Sequence, residues 1–327
     1  ERDLHPDGFQ LAEHAHRVFE VVHGDVLGDL QLEQRRREPD LRRTWLFGPG
    51  ADVAAHERML ASSADVVIVD FEDSTPQARR DEARGLIGAL RERIRAAGAL
   101  AAVRINSLET EGPTDLGAAM PAHPEVIAYP MARSAEEMRA LHRLLNEWEG
   151  RTGAPSGSTE ILPVCETALG VADVRAIAAG SPRIRCALLG TEDLAADLCA
   201  ERQPDADELD YARRRFVLEC RAAGIEPIDA PYTFGDTEGA VREARFARRL
   251  GYRCKSVVQP EHVQAINAAL TPSEEEVRHA LSMIEAFEAA RARGEDRALV
   301  DGLWVEVPTY RGARRLVERA RRLGGQI

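Results

Sequence analysis

The sequence predicts an α/β protein, a (β/α)8 TIM barrel carrying an N-terminal extension and a C-terminal helical arm. Eight short runs rich in Val, Ile, Leu and Ala alternate with longer amphipathic stretches, the pattern of successive β-α units around a parallel sheet. Acidic and other polar residues recur at the far ends of those runs, where a barrel places its chemistry. The length of 327 residues suits either two average domains or one barrel with additions. An open doubly wound sheet more often has fewer strands. Its G-x-G-x-x-G fingerprint is absent too, because Gly48-Pro49-Gly50 offers two glycines and no third.

Residues 1–40 are highly charged, contain the basic run Arg35 to Arg37, and have apolar spacing around Leu11 and Phe19 to Val22 that suits a helix; they read as the extension. The barrel is assigned to 41–270, with strands at 44–48, 65–71, 100–105, 125–129, 160–165, 184–189, 225–229 and 253–258. Helices are predicted at 52–62, 76–97, 134–148, 168–179, 192–200, 206–223 and 237–250, several opening on Asp, Ser or Thr and closing near Gly. The arm, 271–327, follows a helix at 260–268; it reads as helices at 273–293 and 308–324 joined by a connecting segment around Asp301 to Pro308.

Composition narrows the function. Hydrophobic residues make up 44%, charged residues 30% and aromatic residues 5%, as in a globular chain with an aliphatic core. A net charge of -12 argues against nucleic acid or an anionic membrane as partner. No run approaches the ~18 apolar residues of a membrane span, and the first thirty residues are too charged for a secretory leader, so a cytoplasmic location is expected. Five cysteines without a CxxC pair read as free thiols. His14 and His16 form a lone HxH pair, more often surface than metal site. No G-x-S-x-G elbow or P-loop appears. Of 43 basic residues all but Lys255 are arginine, which leaves one amine for imine chemistry.

The strand ends hold the chemistry. Strand two ends in Asp70, Glu72 and Asp73; strand three in Arg104 and Asn106; strand five in Glu166 and Thr167; strand six in Gly190, Thr191, Glu192 and Asp193; strand seven in Asp229; strand eight in Gln259. Any one acid there fits a helix cap equally well. Carboxylates converging on one mouth repel unless a cation joins them, and all-oxygen donors suit Mg²⁺ or Mn²⁺. Such an ion stabilises the enolate formed when a bond next to a carbonyl breaks. Arg104 would supply a positive fork for a substrate oxygen, or else an ion pair to Glu72 or Asp73 that braces the mouth.

At these residues the chain resembles the citrate lyase β-subunit-like family of the HpcH/HpaI aldolase group, which includes malyl-CoA and citramalyl-CoA lyases. Ordered matches run through 43–50 (RTWLFGPG), 65–73 (DVVIVDFED), 103–106 (VRIN), 161–170 (ILPVCETALG), 181–197, 224–236, 251–260 (GYRCKSVVQP) and 301–308 (DGLWVEVP), about residues 42 to 325. The resemblance implies Mg²⁺ held by Glu166 and Asp193, Arg104 on the carbonyl or enolate oxygen, and Glu72 and Asp73 on the water of the metal. It implies homotrimers or homohexamers, in which the arm of a neighbour lends an acid, here Glu306, to the enolate carbon. Phe47, Gly190, Thr191 and Asp229 join Arg104 as expected substrate contacts. Three departures stand out: Glu306 replaces a usual Asp, Gln259 replaces the His of Ile-His-Pro, and Tyr129-Pro130-Met131 replaces Leu-Pro-Lys.

The function expected from this set is a Mg²⁺-dependent carbon–carbon lyase on a 3-hydroxy-carboxyacyl thioester, carried by CoA or by a carrier protein. The alternatives are hydrolysis of the same thioesters, a β-type subunit that works with partner chains, and a Schiff-base aldolase using Lys255.

Overall fold

The computed structural model describes residues 38–324. Eight parallel strands close in sequence order into a barrel: β1 Thr44–Pro49, β2 Val66–Asp70, β3 Leu100–Arg104, β4 Val126–Tyr129, β5 Glu160–Cys165, β6 Cys186–Leu189, β7 Glu226–Asp229 and β8 Cys254–Val257. The ladder from β8 back to β1, with Trp45 opposite Ser256, makes the closure. Each strand lies where the sequence predicts it, as a short, almost wholly buried run between turn residues; β1 to β6 are mainly apolar, whereas β7 (Glu-Pro-Ile-Asp) and β8 (Cys-Lys-Ser-Val) also bury polar residues.

The helices are α1 Val53–Ala61, α2 Arg80–Ala96, α3 Gly112–Ala119, α4 Ala135–Thr152, α5 Ala168–Ala172, α6 Val174–Ala178, α7 Thr191–Asp197, α8 Asp210–Ala223, α9 Thr237–Leu250 and α10 Val263–Leu270, followed by α11 Glu274–Ala292 and α12 Val307–Arg322. Their ends have local causes. Ser134 and Glu137 form a capping box on α4, which stops at Gly153 with φ 72°. Asp52 and Asp236 accept backbone N–H groups at the starts of α1 and α9. The inner stripe of α2, Ala83, Ile87, Leu90 and Ile94, follows helical spacing.

Three local readings needed correction. The segment between β3 and β4 contains α3, a helix not predicted from sequence; two glycines and a Pro in its first turn obscure the helical pattern. The expected connecting segment in the arm is an antiparallel hairpin, β9 Ala298–Val300 and β10 Leu303–Val305, that turns on Asp301 (φ 50°) and Gly302 (φ 80°). The predicted helix at 168–179 is also split, at Asp173. The helix expected near Leu11 and Phe19, Arg35 to Arg37, and the His14 and His16 pair lie outside the described residues.

Strand parity decides what each side chain meets. Trp45, Val66, Ile68, Leu100, Ala102, Val126, Ala128, Leu162, Val164, Cys186, Leu188, Ile228 and Cys254 pack together inside the barrel, with Phe47 against them. The alternate residues, such as Val67, Val69, Ala101, Val103 and Ile127, pack outward against the helices. The floor is closed by Arg42, whose fork meets the Glu160 carboxylate at 2.7 and 2.9 Å. The arm folds back on itself: Ala280, Ala313 and Val317 join α11 to α12. Arg319 ties α12 to the bottom of the barrel by donating to Leu270 O at 2.6 Å and Asp40 O at 3.2 Å.

Candidate active site

The inward parity carries straight into the mouth. Continuing each interior row by two residues leads from Ile68 to Asp70, from Ala102 to Arg104, from Val164 to Glu166 and from Leu188 to Gly190. These positions come from strands far apart in sequence, yet Asp70 and Arg104 are direct register partners.

Arg104 is the pivot. Its Nε and Nη2 donate to the two oxygens of Asp70, both at 2.7 Å, its Nη1 lies 2.9 Å from Glu72, and Asp73 stands at 3.8 Å. The guanidinium carbon sits 5.1 Å over the Phe47 ring. Asp70 is held in turn by the backbone N–H groups of Glu72 (3.0 Å) and Ser74 (2.9 Å) and by the Ser74 hydroxyl. Burial alone would raise the Asp70 carboxyl; the charge and hydrogen bonds of Arg104 overcome it and hold the carboxyl below its ordinary value. Asp70 takes two of the five N–H donors on Arg104, and Nη1 faces Glu72 as an ion pair, so donors remain for a ligand.

Around this cation stand acids whose proton affinity is raised. Burial pushes Glu166 up to about 8, helped by the charges of Asp193 and Glu72, against the N–H of Met131 and the charge of Arg104. Asp193 is raised by burial and by Asp73, and it hydrogen-bonds Glu166. Glu72 is pushed up to about 7 by burial, then by Asp73 and Asp70, with Arg104 opposing. The Glu166 carboxylate accepts from Met131 N at 2.8 Å, and Met131 adopts φ 49° to present that N–H. The replacement of a lysine by Met131 therefore removes a side-chain cation while its backbone still orients a carboxylate. Gly190 is there because a Cβ would fall 2.6 Å from Glu166 Oε2.

No three His, Cys, Asp or Glu residues among the described residues form a ready-made metal cluster. Two adjacent carboxylates with raised proton affinity nevertheless fit Mg²⁺, which keeps several waters and commonly takes one or two protein carboxylates together with substrate oxygens. Mn²⁺ suits the same donors.

Other residues read from the sequence fall elsewhere. Asp229, expected among the substrate contacts, is turned away from the mouth. Ile228 points into the barrel, so its neighbour Asp229 points outward, where it is fully buried against Arg213 (3.0 and 2.9 Å) and Lys255 (2.6 Å). Lys255 also donates to Ala230 O at 2.6 Å, so the lone amine has a structural partner on each side. Thr191 is buried behind the mouth and its hydroxyl finds no partner among the described residues. Gln259 donates to Phe234 O at 3.2 Å. Glu306 is exposed, one residue before α12, and makes no side-chain capping bond. The residue that sequence reading missed is Asp70 as the holder of Arg104; the signal was its inward parity with Ile68.

Residues 43–260 match the HpcH/HpaI aldolase/citrate lyase family. The chain belongs to that family. Among relatives, it is 33% identical over 282 residues to the citrate lyase subunit beta of Leuconostoc mesenteroides subsp. cremoris, covering 86% of this chain and 93% of that one. It is 31% identical to an L-malyl-CoA/beta-methylmalyl-CoA lyase of Cereibacter sphaeroides, covering 85% of this chain and 94% of that one. Among solved structures, the protein CitE from Mycobacterium tuberculosis in complex with magnesium, acetoacetate and coenzyme A is similar at a TM-score of 0.69 and 27% identity, over 88% of this chain and 99% of that one. Membership in this family agrees with the eight-stranded barrel and with a mouth lined by acids and one arginine.

Proposed function

We propose that this protein is a Mg²⁺-dependent carbon–carbon lyase that cleaves a 3-hydroxy-carboxyacyl thioester, such as malyl-CoA or citramalyl-CoA, into a 2-oxo acid and a shorter acyl thioester. The observation that carries the reading is Arg104, held by Asp70 with donors left over, beside the adjacent pair Glu166 and Asp193. Relatives named as citrate lyase beta subunits and a malyl-CoA lyase, and a similar structure holding magnesium and coenzyme A, support it.

Glu166 and Asp193 would hold the ion, whose chemistry when bound is to polarise substrate oxygens. Asp70 and the Phe47 ring fix Arg104 so that its free donors meet the substrate carbonyl and bind the enolate oxygen more strongly as charge develops there. Glu72, whose proton affinity is centred near neutrality, takes the proton of the 3-hydroxyl as the bond between C2 and C3 breaks. The electron pair of that bond goes to C2, where Glu306 of a neighbouring copy returns a proton. Gly190 keeps the wall against Glu166 open, and Thr191 supports the same wall. The exposed hairpin residues Leu299, Leu303 and Trp304 and the adjacent Val307 suit burial in a homotrimer or homohexamer that brings Glu306 to a neighbouring mouth.

The test is incubation of the purified chain with Mg²⁺ and malyl- and citramalyl-CoA, followed for 2-oxo acid and for free CoA. Release of oxo acid that EDTA abolishes is expected. Intact thioesters throughout, or cleavage indifferent to EDTA, would refute the reading, and free thiol without oxo acid would mean hydrolysis instead. A second reading, a β-type subunit acting on a carrier-protein thioester, is favoured by the 33% identity to a citrate lyase subunit beta; activity confined to the carrier-linked substrate would select it.

A further inference from the structure

A large cavity lies at the opposite end of the barrel from the mouth. It measures about 1020 Å³ and opens between the N-terminal ends of β7 and β8 on one side and α11 and α12 on the other. That volume is at the upper end of small-ligand sites, roughly 300–1000 Å³. Arginines dominate its walls in a chain whose net charge is -12.

These arginines are not all neutralised. Arg221 is paired with Glu226, and Arg248 with Glu276 at 2.9 Å. Arg253 donates to the backbone oxygens of Tyr252 (2.9 Å) and Arg248 (3.4 Å), while Arg319 donates to those of Leu270, Asp40 and Arg253. Neither meets a carboxylate within ion-pair distance among the described residues. Arg319 is pulled down to about 10, and Arg253 is also lowered, first by burial and then by neighbouring guanidinium groups, which together outweigh the opposing charges of Asp40 on Arg319 and of Glu226 on Arg253. Arg315 and Arg321 add charge from exposed positions of α12. The acids on the wall are Asp40, Glu226 and Glu318, and Glu226 is already used by Arg221. Leu281, Ile284 and Leu316 add an apolar surface.

We infer that this cavity is a binding site for a small anion bearing two or more phosphates, held by Arg253, Arg315, Arg319 and Arg321, with the apolar surface available to a ring attached to it. Planar guanidinium forks match phosphate oxygens, and a multivalent anion answers several of them at once. The site is separate from the proposed lyase chemistry, since Arg104, Glu166 and Asp193 stand at the C-terminal ends of the strands, and it is independent of that reading.

Isothermal titration calorimetry of the full chain, in EDTA at near-physiological ionic strength, with pyrophosphate and with ATP as titrants, tests it. Saturable binding of pyrophosphate is expected, and tighter binding of ATP would identify a nucleotide as the source of the phosphates. The double variant R315E/R321E is expected to lower the affinity by about tenfold or more while its melting temperature stays that of the parent chain. Should that variant fail to fold, R315Q/R321Q must weaken binding in the same direction. Hydrogen exchange with ligand should slow in 312–322 and 248–253. Failure of both titrants to saturate the parent chain, or an affinity unchanged in the folded variant, overturns the proposal.

Discussion

Two buried Asp–Arg pairs sit at strand ends on opposite sides of this barrel, and they differ in what is left over. At β2 and β3, Asp70 grips Arg104 with two bonds of 2.7 Å, and the arginine keeps donors open toward a mouth crowded with raised carboxyls. At β7 and β8, Asp229 is saturated by Arg213 and Lys255. Arg213 in turn meets Glu243 at 2.5 Å, and its carbonyl receives the Tyr252 hydroxyl at 2.7 Å. The first pair is unbalanced and faces the lumen; the second is balanced and faces the layer between sheet and helices. The same residue types at strand ends therefore leave donors open to the mouth in one place and close a buried network in the other.

The sharpest way to break this contrast is to damage the balanced pair. Asp229→Asn leaves Arg213 and Lys255 buried against a neutral amide and is expected to cost about 3–5 kcal/mol in urea unfolding, while the folded fraction keeps its turnover per molecule. A large loss of turnover in fully folded protein would place Asp229 in the chemistry after all. The reciprocal change, Arg104→Lys, keeps a charge beside Asp70 but loses the fork. Steady-state release of 2-oxo acid should then fall by about 10²–10³-fold, with a much smaller change in melting temperature.

Smaller effects sharpen the comparison. Saturating Mg²⁺, at about a hundred times its Kd, is expected to stabilise the parent chain by ~2.7 kcal/mol. Glu166→Gln or Asp193→Asn should abolish that shift in a thermal melt, whereas Asp229→Asn should retain it. Gly190→Ala presses a methyl against Glu166, so a loss of ~1–3 kcal/mol is expected, together with a weaker Mg²⁺-induced shift. Acid should reach both pairs. Asp70 and Asp229 have folded-state values below the ordinary one, so their stabilisation is complete above the unfolded value, about 3.9, and is lost as pH falls through the folded value. Glu166 and Glu72 act in the opposite sense, since their raised folded-state values cost stability as pH rises through about 7 to 8. Urea midpoints of the metal-free chain should therefore be highest near pH 5, falling both toward pH 3 and toward pH 8.

Much of this was legible in one dimension. Buried apolar runs announce most of the strands because a parallel sheet covered on both faces favours apolar residues along its length, although β7 and β8 also bury Glu226, Asp229, Lys255 and Ser256. Glu166 and Arg104 could be picked out because each follows such a run. Helix α3 was not legible: its Gly112-Pro113 start and small residues carry little periodicity, and it is defined by packing Leu116 and Ala119 under its neighbours. The hairpin at 298–305 was hidden by strands of three residues each, too short to alternate visibly. The outward direction of Asp229 was not legible because a strand-end acid looks the same whichever way it points.

The sequence by itself determined the order and number of the β-α units, the acids at their ends and the family to which the chain belongs, since these depend on local pattern and motif order. The tertiary structure alone decided which acids are neutralised. A counter-charge arrives from a different strand or helix, as Arg104 does for Asp70 and Arg213 for Asp229, and its arrival depends on barrel closure, register and strand parity. The same holds for the arginine-lined cavity beneath the barrel, whose charges are spread over a hundred residues of sequence and become a cluster once α12 packs against the N-terminal ends of β7 and β8.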